Sequence, residues 1–204
     1  QIKLFGLNKF IEELIQLYED NKLPNKILLS GQKGIGKSTL AYHFINFVLS
    51  KNEEYNYDTN NFKINPENPS FKTVMNKSNT NFILVDINVE RKSIDVNQIR
   101  DLISILNKSS FNKKPRFVLI DNIELLNINA VNSLLKILEE PSFNVHLILI
   151  NNNKKILPTL LSRCIKFKVY LSNEENLAVA ENILSGKITD FINKDLINYY
   201  STPG

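Results

Sequence analysis

Cysteine and histidine are scarce in this 204-residue sequence, which holds one Cys and two His. A single thiol, Cys164, excludes an intrachain disulfide and a thiolate cluster around a metal. We interpret Cys164 as a small apolar group rather than a reactive one. Because disulfides are also rare in reducing compartments, we expect a cytoplasmic protein.

Long apolar runs and strong charge are absent as well. No stretch of eighteen apolar residues exists, which predicts no membrane partner, and residues 1–10 lack the layout of a signal peptide. The net charge of +4 is mild, so contact with nucleic acid is permitted but not required. The chain starts without Met and stops within an apparent turn between helices, so we expect a fragment of a larger protein.

Short apolar strands alternate with amphipathic segments along the chain. This alternation predicts an α/β protein whose parallel sheet is covered by helices on both faces. The predicted strands are 27–29, 82–87, 117–120 and 145–150. The predicted helices are 10–18, 39–49, 94–106 and 131–138, the last stopped by Pro141.

After residue 169 the pattern is helical only, with helices predicted at 173–185 and 189–200. We therefore divide the chain into an α/β domain, 1–169, and the start of a small helical domain, 170–204. Residues 51–81 differ from both, because they are rich in Asn and show no sustained period. They are interpreted as an insertion or long loop with one short helix.

The strongest motif is Gly31-Gln32-Lys33-Gly34-Ile35-Gly36-Lys37-Ser38, which has the G-x-x-x-x-G-K-[ST] pattern between a strand and a helix. Its glycines let backbone N–H groups point at phosphate oxygens, and the helix that follows directs its positive end at the same anion. Lys37 adds charge at the outer phosphates, and the Ser38 hydroxyl is a ligand for Mg²⁺. The predicted nucleotide-binding residues of this loop are Gly31, Gly34, Ile35, Gly36, Lys37, Ser38 and Thr39.

A second signal is the apolar strand that ends at Asp121. An acidic residue at the carboxyl end of a buried strand lies beside the phosphate loop in this class of fold, where it can hold Mg²⁺ through water. We therefore predict Ser38 and Asp121 as the magnesium site, with ATP or ADP as the nucleotide.

Three segments resemble bacterial clamp-loader subunits of the AAA+ family. Residues 132–141, NSLLKILEEP, resemble the N-A-L-L-K-x-L-E-E-P helix of that family, and 161–164, LSRC, resemble its S-R-C motif. Leu4-Phe5-Gly6 resembles its opening segment. The resemblance implies an AAA+ domain followed by a helical lid, and a role in DNA replication with the tau/gamma and delta subunits in a hetero-oligomeric ring. The sliding clamp and primed DNA would be reached through that complex.

Within this family, the chain resembles the delta-prime branch more than the tau/gamma motor. The motor carries Asp-Glu after the strand, whereas this chain has Asp121-Asn122. An amide cannot accept a proton from the attacking water, so the general-base position is vacant. Glu124 lies two residues too far along to replace it in register. The resemblance therefore implies nucleotide binding with weak or absent hydrolysis.

The resemblance assigns two further roles. Arg163, in the S-R-C motif, would reach the ATP of a neighbouring subunit, because its planar, permanently charged fork suits phosphate oxygens. Asn151 and Asn152 follow the fourth strand, where the family places a polar residue that senses the γ-phosphate. Relatives carry four zinc-binding cysteines in the insertion, but residues 51–81 hold no Cys or His, so no zinc is expected.

Two alternatives remain at this level. An active AAA+ motor would need a general base that Asn122 does not supply. A P-loop kinase for a small molecule would need lid arginines over the transferred phosphoryl group, and the 51–81 segment has none.

Overall fold

The computed structural model describes residues 2–87, 92–108, 112–140, 144–191 and 202–204. Within these ranges strands and helices alternate along the chain, as predicted. The helices are α1 Asn8–Glu19, α2 Lys37–Ser50, α3 Pro69–Met75, α4 Val96–Leu106, α5 Ile128–Glu139, α6 Pro158–Leu161 and α7 Asn173–Leu184. The strands are β1 Lys26–Ser30, β2 Phe82–Val85, β3 Arg116–Ile120, β4 Val145–Asn151 and β5 Ile165–Lys168. Short 3₁₀ turns lie at Ile123–Leu125 and Ile188–Asp190.

The described strands form one parallel sheet in the order β2-β3-β4-β1-β5. The predicted α/β class is therefore confirmed. All five residues of β3 are buried, as a central parallel strand requires. β5 was not predicted as a strand. It occupies the edge of the sheet next to β1, and its alternating Lys residues and mostly exposed side chains hide the apolar signal.

Both faces of the sheet carry an apolar core, and successive strand residues enter opposite cores. Ile27 and Leu29 pack in one cluster with α1 and α2, whereas Leu28 packs in the other with α4 and α5. In β3, Phe117 and Val118 divide in the same way. Since side chains alternate along a strand, this division explains why the strands are continuous apolar runs.

Helix α2 is buried around most of its circumference, as its composition predicted. Ten of its 14 residues are buried. One of them, His43, places Nδ1 3.0 Å from the hydroxyl of Tyr57, a packing contact consistent with a structural role. The second histidine, His146, stacks on Phe117.

The 51–81 segment contains the predicted short helix, α3, but it is anchored to the domain rather than looped away from it. Tyr57 and Ile64 are part of the core. Glu53 accepts hydrogen bonds from the Ser70 hydroxyl at 2.7 Å and from Lys114 Nζ at 2.5 Å. The segment is therefore held by both apolar and ionic contacts.

The C-terminal part begins with α7, which matches the helix predicted from residue 173. Ser172 and Glu175 form a capping box at its start. The second predicted helix, 189–200, begins in the 3₁₀ turn at Ile188–Asp190, and residues 192–200 lie outside the described residues. Pro141, which was predicted to stop the helix over 131–138, also lies outside them. No helix in the described part of the chain is long and apolar enough to cross a membrane.

Candidate nucleotide site

Four strands deliver polar residues to one edge of the sheet. The P-loop follows β1, and Asp86, Asp121 and Asn152 follow β2, β3 and β4. The carboxyl ends of parallel strands meet at one edge, which is where ligands bind in open α/β sheets. The sheet order therefore brings distant parts of the sequence to the phosphate loop.

The P-loop backbone needs glycine at specific positions. Gly36 immediately precedes α2 with φ 96° and ψ 18°, in the left-handed region. A Cβ on Gly31 would lie 2.2 Å from the carbonyl oxygen of Val169. Side chains at these positions would force the loop away from the geometry that turns its N–H groups toward phosphate.

Lys37 is almost completely buried, at 3% exposure. Its Nζ donates to the carbonyl oxygens of Gly31 at 3.0 Å and Gln32 at 2.5 Å. Burial lowers the pKa of Lys37 to about 8, although Asp121 and Glu124 act in the opposite direction. The ammonium is thus held under the loop, where a bound phosphate would add to the negative charge that favours its protonated form.

Ser38 and Asp121, the predicted magnesium ligands, are in direct contact. The Ser38 hydroxyl donates to Oδ2 of Asp121 at 2.5 Å. Burial raises the pKa of the Asp121 carboxyl and Asp86 adds to the effect, while the Ser38 hydrogen bond opposes it. A hydroxyl and a carboxylate are hard oxygen donors, which fit Mg²⁺ with phosphate and water as its other ligands.

Asn122 adopts a left-handed conformation, with φ 56° and ψ 49°, which Asn tolerates better than other non-glycine residues. Its Nδ2 donates to Oδ1 of Asp86 at 2.9 Å. Its Oδ1 accepts from Nδ2 of Asn152 at 2.7 Å. Hydrogen bonds at both the nitrogen and the oxygen therefore hold the side-chain amide at the predicted general-base position.

The structure separates the two asparagines predicted to sense phosphate. Asn151 closes the turn after β4, because its Nδ2 donates to the Lys154 carbonyl oxygen at 3.0 Å. Asn152 faces the cluster instead, and its Nδ2 also donates to Oε1 of Glu124 at 2.9 Å. Asn152 is thus the residue joined to the site.

Arg163 lies apart on the domain surface. Its guanidinium donates to the Thr159 carbonyl oxygen at 3.0 Å and to Oε1 of Glu139 at 2.7 Å. The neighbouring Cys164 packs against the second core cluster, and burial raises the pKa of its thiol to about 11. This fits the apolar role predicted for the cysteine.

Two members of the cluster were not predicted as site residues from the sequence: Asp86 was missed and Glu124 was rejected. Asp86 follows an apolar strand just as Asp121 does, so the same signal could have identified it. Glu124 was set aside because of its spacing from Asp121. The 3₁₀ turn at Ile123–Leu125 brings its carboxylate to Asn152, which spacing along an extended strand could not predict.

The fold and the phosphate loop define an AAA+ P-loop protein. A gamma subunit-related protein of DNA polymerase III from Thermotoga maritima superposes with a TM-score of 0.53 at 17% identity, covering 90% of this chain and 54% of its own. The RuvB Holliday junction branch migration motor from Thermotoga maritima gives 0.50 at 17% identity, with 93% and 52% covered. At these identities the likeness shows the fold alone.

The family follows from sequence. A family model described as DNA polymerase III, delta subunit, matches residues 6–172, and the chain belongs to this family. DNA polymerase III subunit delta' of Buchnera aphidicola subsp. Baizongia pistaciae is 32% identical over 177 residues, 81% of this chain and 49% of the relative. The Pseudomonas aeruginosa subunit delta' is 31% identical, over 68% of this chain and 41% of the relative. The chain thus spans about half the length of these curated relatives.

Proposed function

We propose that this chain is the nucleotide-binding part of a delta-prime subunit of the DNA polymerase III clamp loader. In this role it supports ATP-dependent loading of the sliding clamp onto primed DNA in the cytoplasm. Relatives named as gamma and tau/gamma subunits support a ring with such partners, and delta would be a further member. The proposal includes the division into an AAA+ domain, residues 1–169, and the start of a helical lid, residues 170–204.

One observation carries the proposal: an intact phosphate loop lies beside a general-base position that is filled by a restrained amide. Lys37 and Ser38 retain the phosphate and metal chemistry, whereas Asn122 is bonded to Asp86 and Asn152. An amide so placed cannot take a proton from water. This combination favours a subunit that binds nucleotide and hydrolyses it poorly, over an active motor.

In the bound state, Lys37 and the loop N–H groups would hold the phosphates of ATP or ADP. Ser38 and Asp121 would hold Mg²⁺, directly and through water. The ion supplies charge neutralisation between the phosphate oxygens. Of the two predicted asparagines, Asn152 is the one that would meet a γ-phosphate, once its amide is released from Glu124.

Arg163 would act on a neighbour rather than on this chain's own nucleotide. Its partner Glu139 is 54% exposed and Arg163 itself 33% exposed, so the ion pair is open to exchange. Exposed pairs contribute about 0–1 kcal/mol. A phosphate in an adjacent subunit could therefore replace the carboxylate at small cost.

Co-purification and reconstitution test the proposal. The full-length protein, mixed with delta and tau/gamma subunits, should elute as one complex and support clamp loading on primed DNA. Each subunit omitted in turn gives the matched control. Failure to enter the complex, or equal loading without this subunit, would overturn the assignment.

A further inference from the structure

We infer that Glu124 sets the nucleotide preference of the site by holding the side-chain amide of Asn152 away from the γ-phosphate. The inference rests on the proposed nucleotide binding and names a regulation of that site. It arises from a chain of four side chains at the carboxyl edge of the sheet. In order, they are Asp86, Asn122, Asn152 and Glu124.

The carboxylates of Asp86 and Glu124, at the two ends of this hydrogen-bonded row, fix the orientation of both amides. An ionised carboxylate only accepts hydrogen bonds, so Asp86 must receive Nδ2 of Asn122. The Oδ1 of Asn122 then faces Asn152, which must present Nδ2 to it. Glu124 requires the same orientation of Asn152 from the other side. The direction of every hydrogen bond in the chain is thus determined by chemistry.

Asn152 consequently has no amide hydrogen left for a phosphate. A primary amide carries two N–H donors, and Nδ2 of Asn152 gives one to Asn122 at 2.7 Å and one to Glu124 at 2.9 Å. The backbone N–H of Asn152 also donates to Oε2 of Glu124 at 3.3 Å. Glu124 therefore accepts hydrogen bonds from Asn152 at both carboxylate oxygens.

The hydrogen bonds of Asn152 lie beside the phosphate loop. Asn122, which accepts from Asn152, directly follows Asp121, and the Asp121 carboxylate accepts from Ser38 of that loop. Asn152 itself follows β4, which pairs with β1, the strand that leads into the loop. A γ-phosphate must compete with Glu124 for the Asn152 amide. In the unmodified protein the Asn152 amide therefore adds little to the affinity for ATP over that for ADP.

Calorimetric titration of the full-length protein with Mg-ATP and Mg-ADP tests this inference. In Glu124→Ala, the freed amide can donate to the γ-phosphate. One new hydrogen bond should raise the ATP-to-ADP affinity ratio by about threefold to tenfold. In Glu124→Gln, the side-chain oxygen still accepts from Asn152, so the ratio should stay near that of the unmodified protein.

The variant Asn152→Ala separates the effect of the hydrogen bond on the ATP-to-ADP affinity ratio from the effect of charge. Glu124→Ala also removes a negative charge, which would favour ATP without involving Asn152. If Asn152 carries the effect, adding Asn152→Ala to Glu124→Ala should abolish the gain. A gain in ratio that survives in the double variant, an equal gain in Glu124→Gln, or an unchanged ratio in Glu124→Ala would overturn the inference. Absence of binding of either nucleotide by the unmodified protein would instead refute the proposed function.

Discussion

The hydroxyl of Ser38 donates to the carboxylate of Asp121 at 2.5 Å, although 83 residues separate them. Ser38 lies in the first turn of α2 and Asp121 follows β3, so the parallel sheet brings them together. Mg²⁺ held by the Ser38 hydroxyl, and through water by Asp121, would take the place of this hydrogen bond. The fold thus holds the two predicted ligands side by side, because each side chain restrains the other.

Lys37→Ala should weaken nucleotide binding by about tenfold to a hundredfold, because charge-assisted hydrogen bonds to phosphate are lost. Lys33→Ala is the matched control, since Lys33 belongs to the same loop but is exposed, and it should change affinity little. Calorimetry with Mg-ADP measures both. Equal losses in the two variants would show that general positive charge, not the buried ammonium, binds the phosphates.

The pH dependence of binding follows from the buried ammonium. The pKa of Lys37 is lowered from 10.5 to about 8, so the free protein loses this charge as the pH rises through 8. Affinity should be highest below pH 8 and fall above it, by up to about tenfold per pH unit. Titrations between pH 7 and 9.5 measure the slope, and a flat profile would contradict the assignment of Lys37 as phosphate ligand.

ATP turnover by the isolated subunit should be near background, because Asn122 cannot act as a base. Asn122→Glu should not restore it. The left-handed backbone disfavours Glu by about 1–2 kcal/mol, and Asp86, which now accepts from the amide, would repel a second carboxylate. Phosphate release at about 1 s⁻¹ or faster by the unmodified subunit would show that another residue serves as base.

The sequence predicted the placement of residues well where they belong to a local motif. The P-loop, Asp121 and the helices with strong periodicity all lie where spacing placed them. The connections between Asn122, Asn152 and Glu124 could not be predicted, because they depend on strand order and on a 3₁₀ turn. The edge strand β5 was missed for a related reason: only pairing with β1 distinguishes its Lys-rich sequence from a loop.

Glu53→Gln should destabilise the fold, because Glu53 anchors the 51–81 segment to Lys114. Burial opposes its charged form, but hydrogen bonds from Lys114 and Ser70 outweigh this and lower the pKa of Glu53. A lowered carboxyl pKa gives stability that is present above the ordinary value of 4.5 and is lost as the pH falls through the folded value. At pH 7 the Tm should fall by about 2–8 °C.

The exposed neighbour Glu54 provides the control for this measurement. Glu54→Gln should leave the Tm nearly unchanged, and the difference between Glu53→Gln and the unmodified protein should shrink as the pH falls below 4.5. A chelator should not alter either melting curve, since the 51–81 segment contains no Cys or His. A pH-independent difference would mean that shape, not charge, holds the segment.

Arg163→Ala should leave this subunit's fold and nucleotide binding intact, because its ion pair with Glu139 is exposed and contributes about 0–1 kcal/mol. In the reconstituted loader, clamp loading and DNA-stimulated ATPase should fall. Arginines acting in trans contribute about 10³–10⁵ in rate in well-studied NTPases, and the loss is smaller in a ring with several sites. Arg163→Lys should not rescue activity, since an ammonium lacks the bidentate fork.

Glu139→Ala distinguishes the trans role from a local structural one. This variant breaks the same ion pair but keeps the arginine, and it leaves the guanidinium free to meet a neighbour's phosphate. If Arg163 acts in trans, loading by Glu139→Ala should equal or exceed that of the unmodified loader, while Arg163→Ala fails. If the ion pair itself matters, the two variants should lose activity together. Parallel measurements of ATP turnover, with clamp and primed DNA present, decide between these outcomes. Unchanged turnover in Arg163→Ala would mean that Arg163 makes only a surface contact within its own subunit.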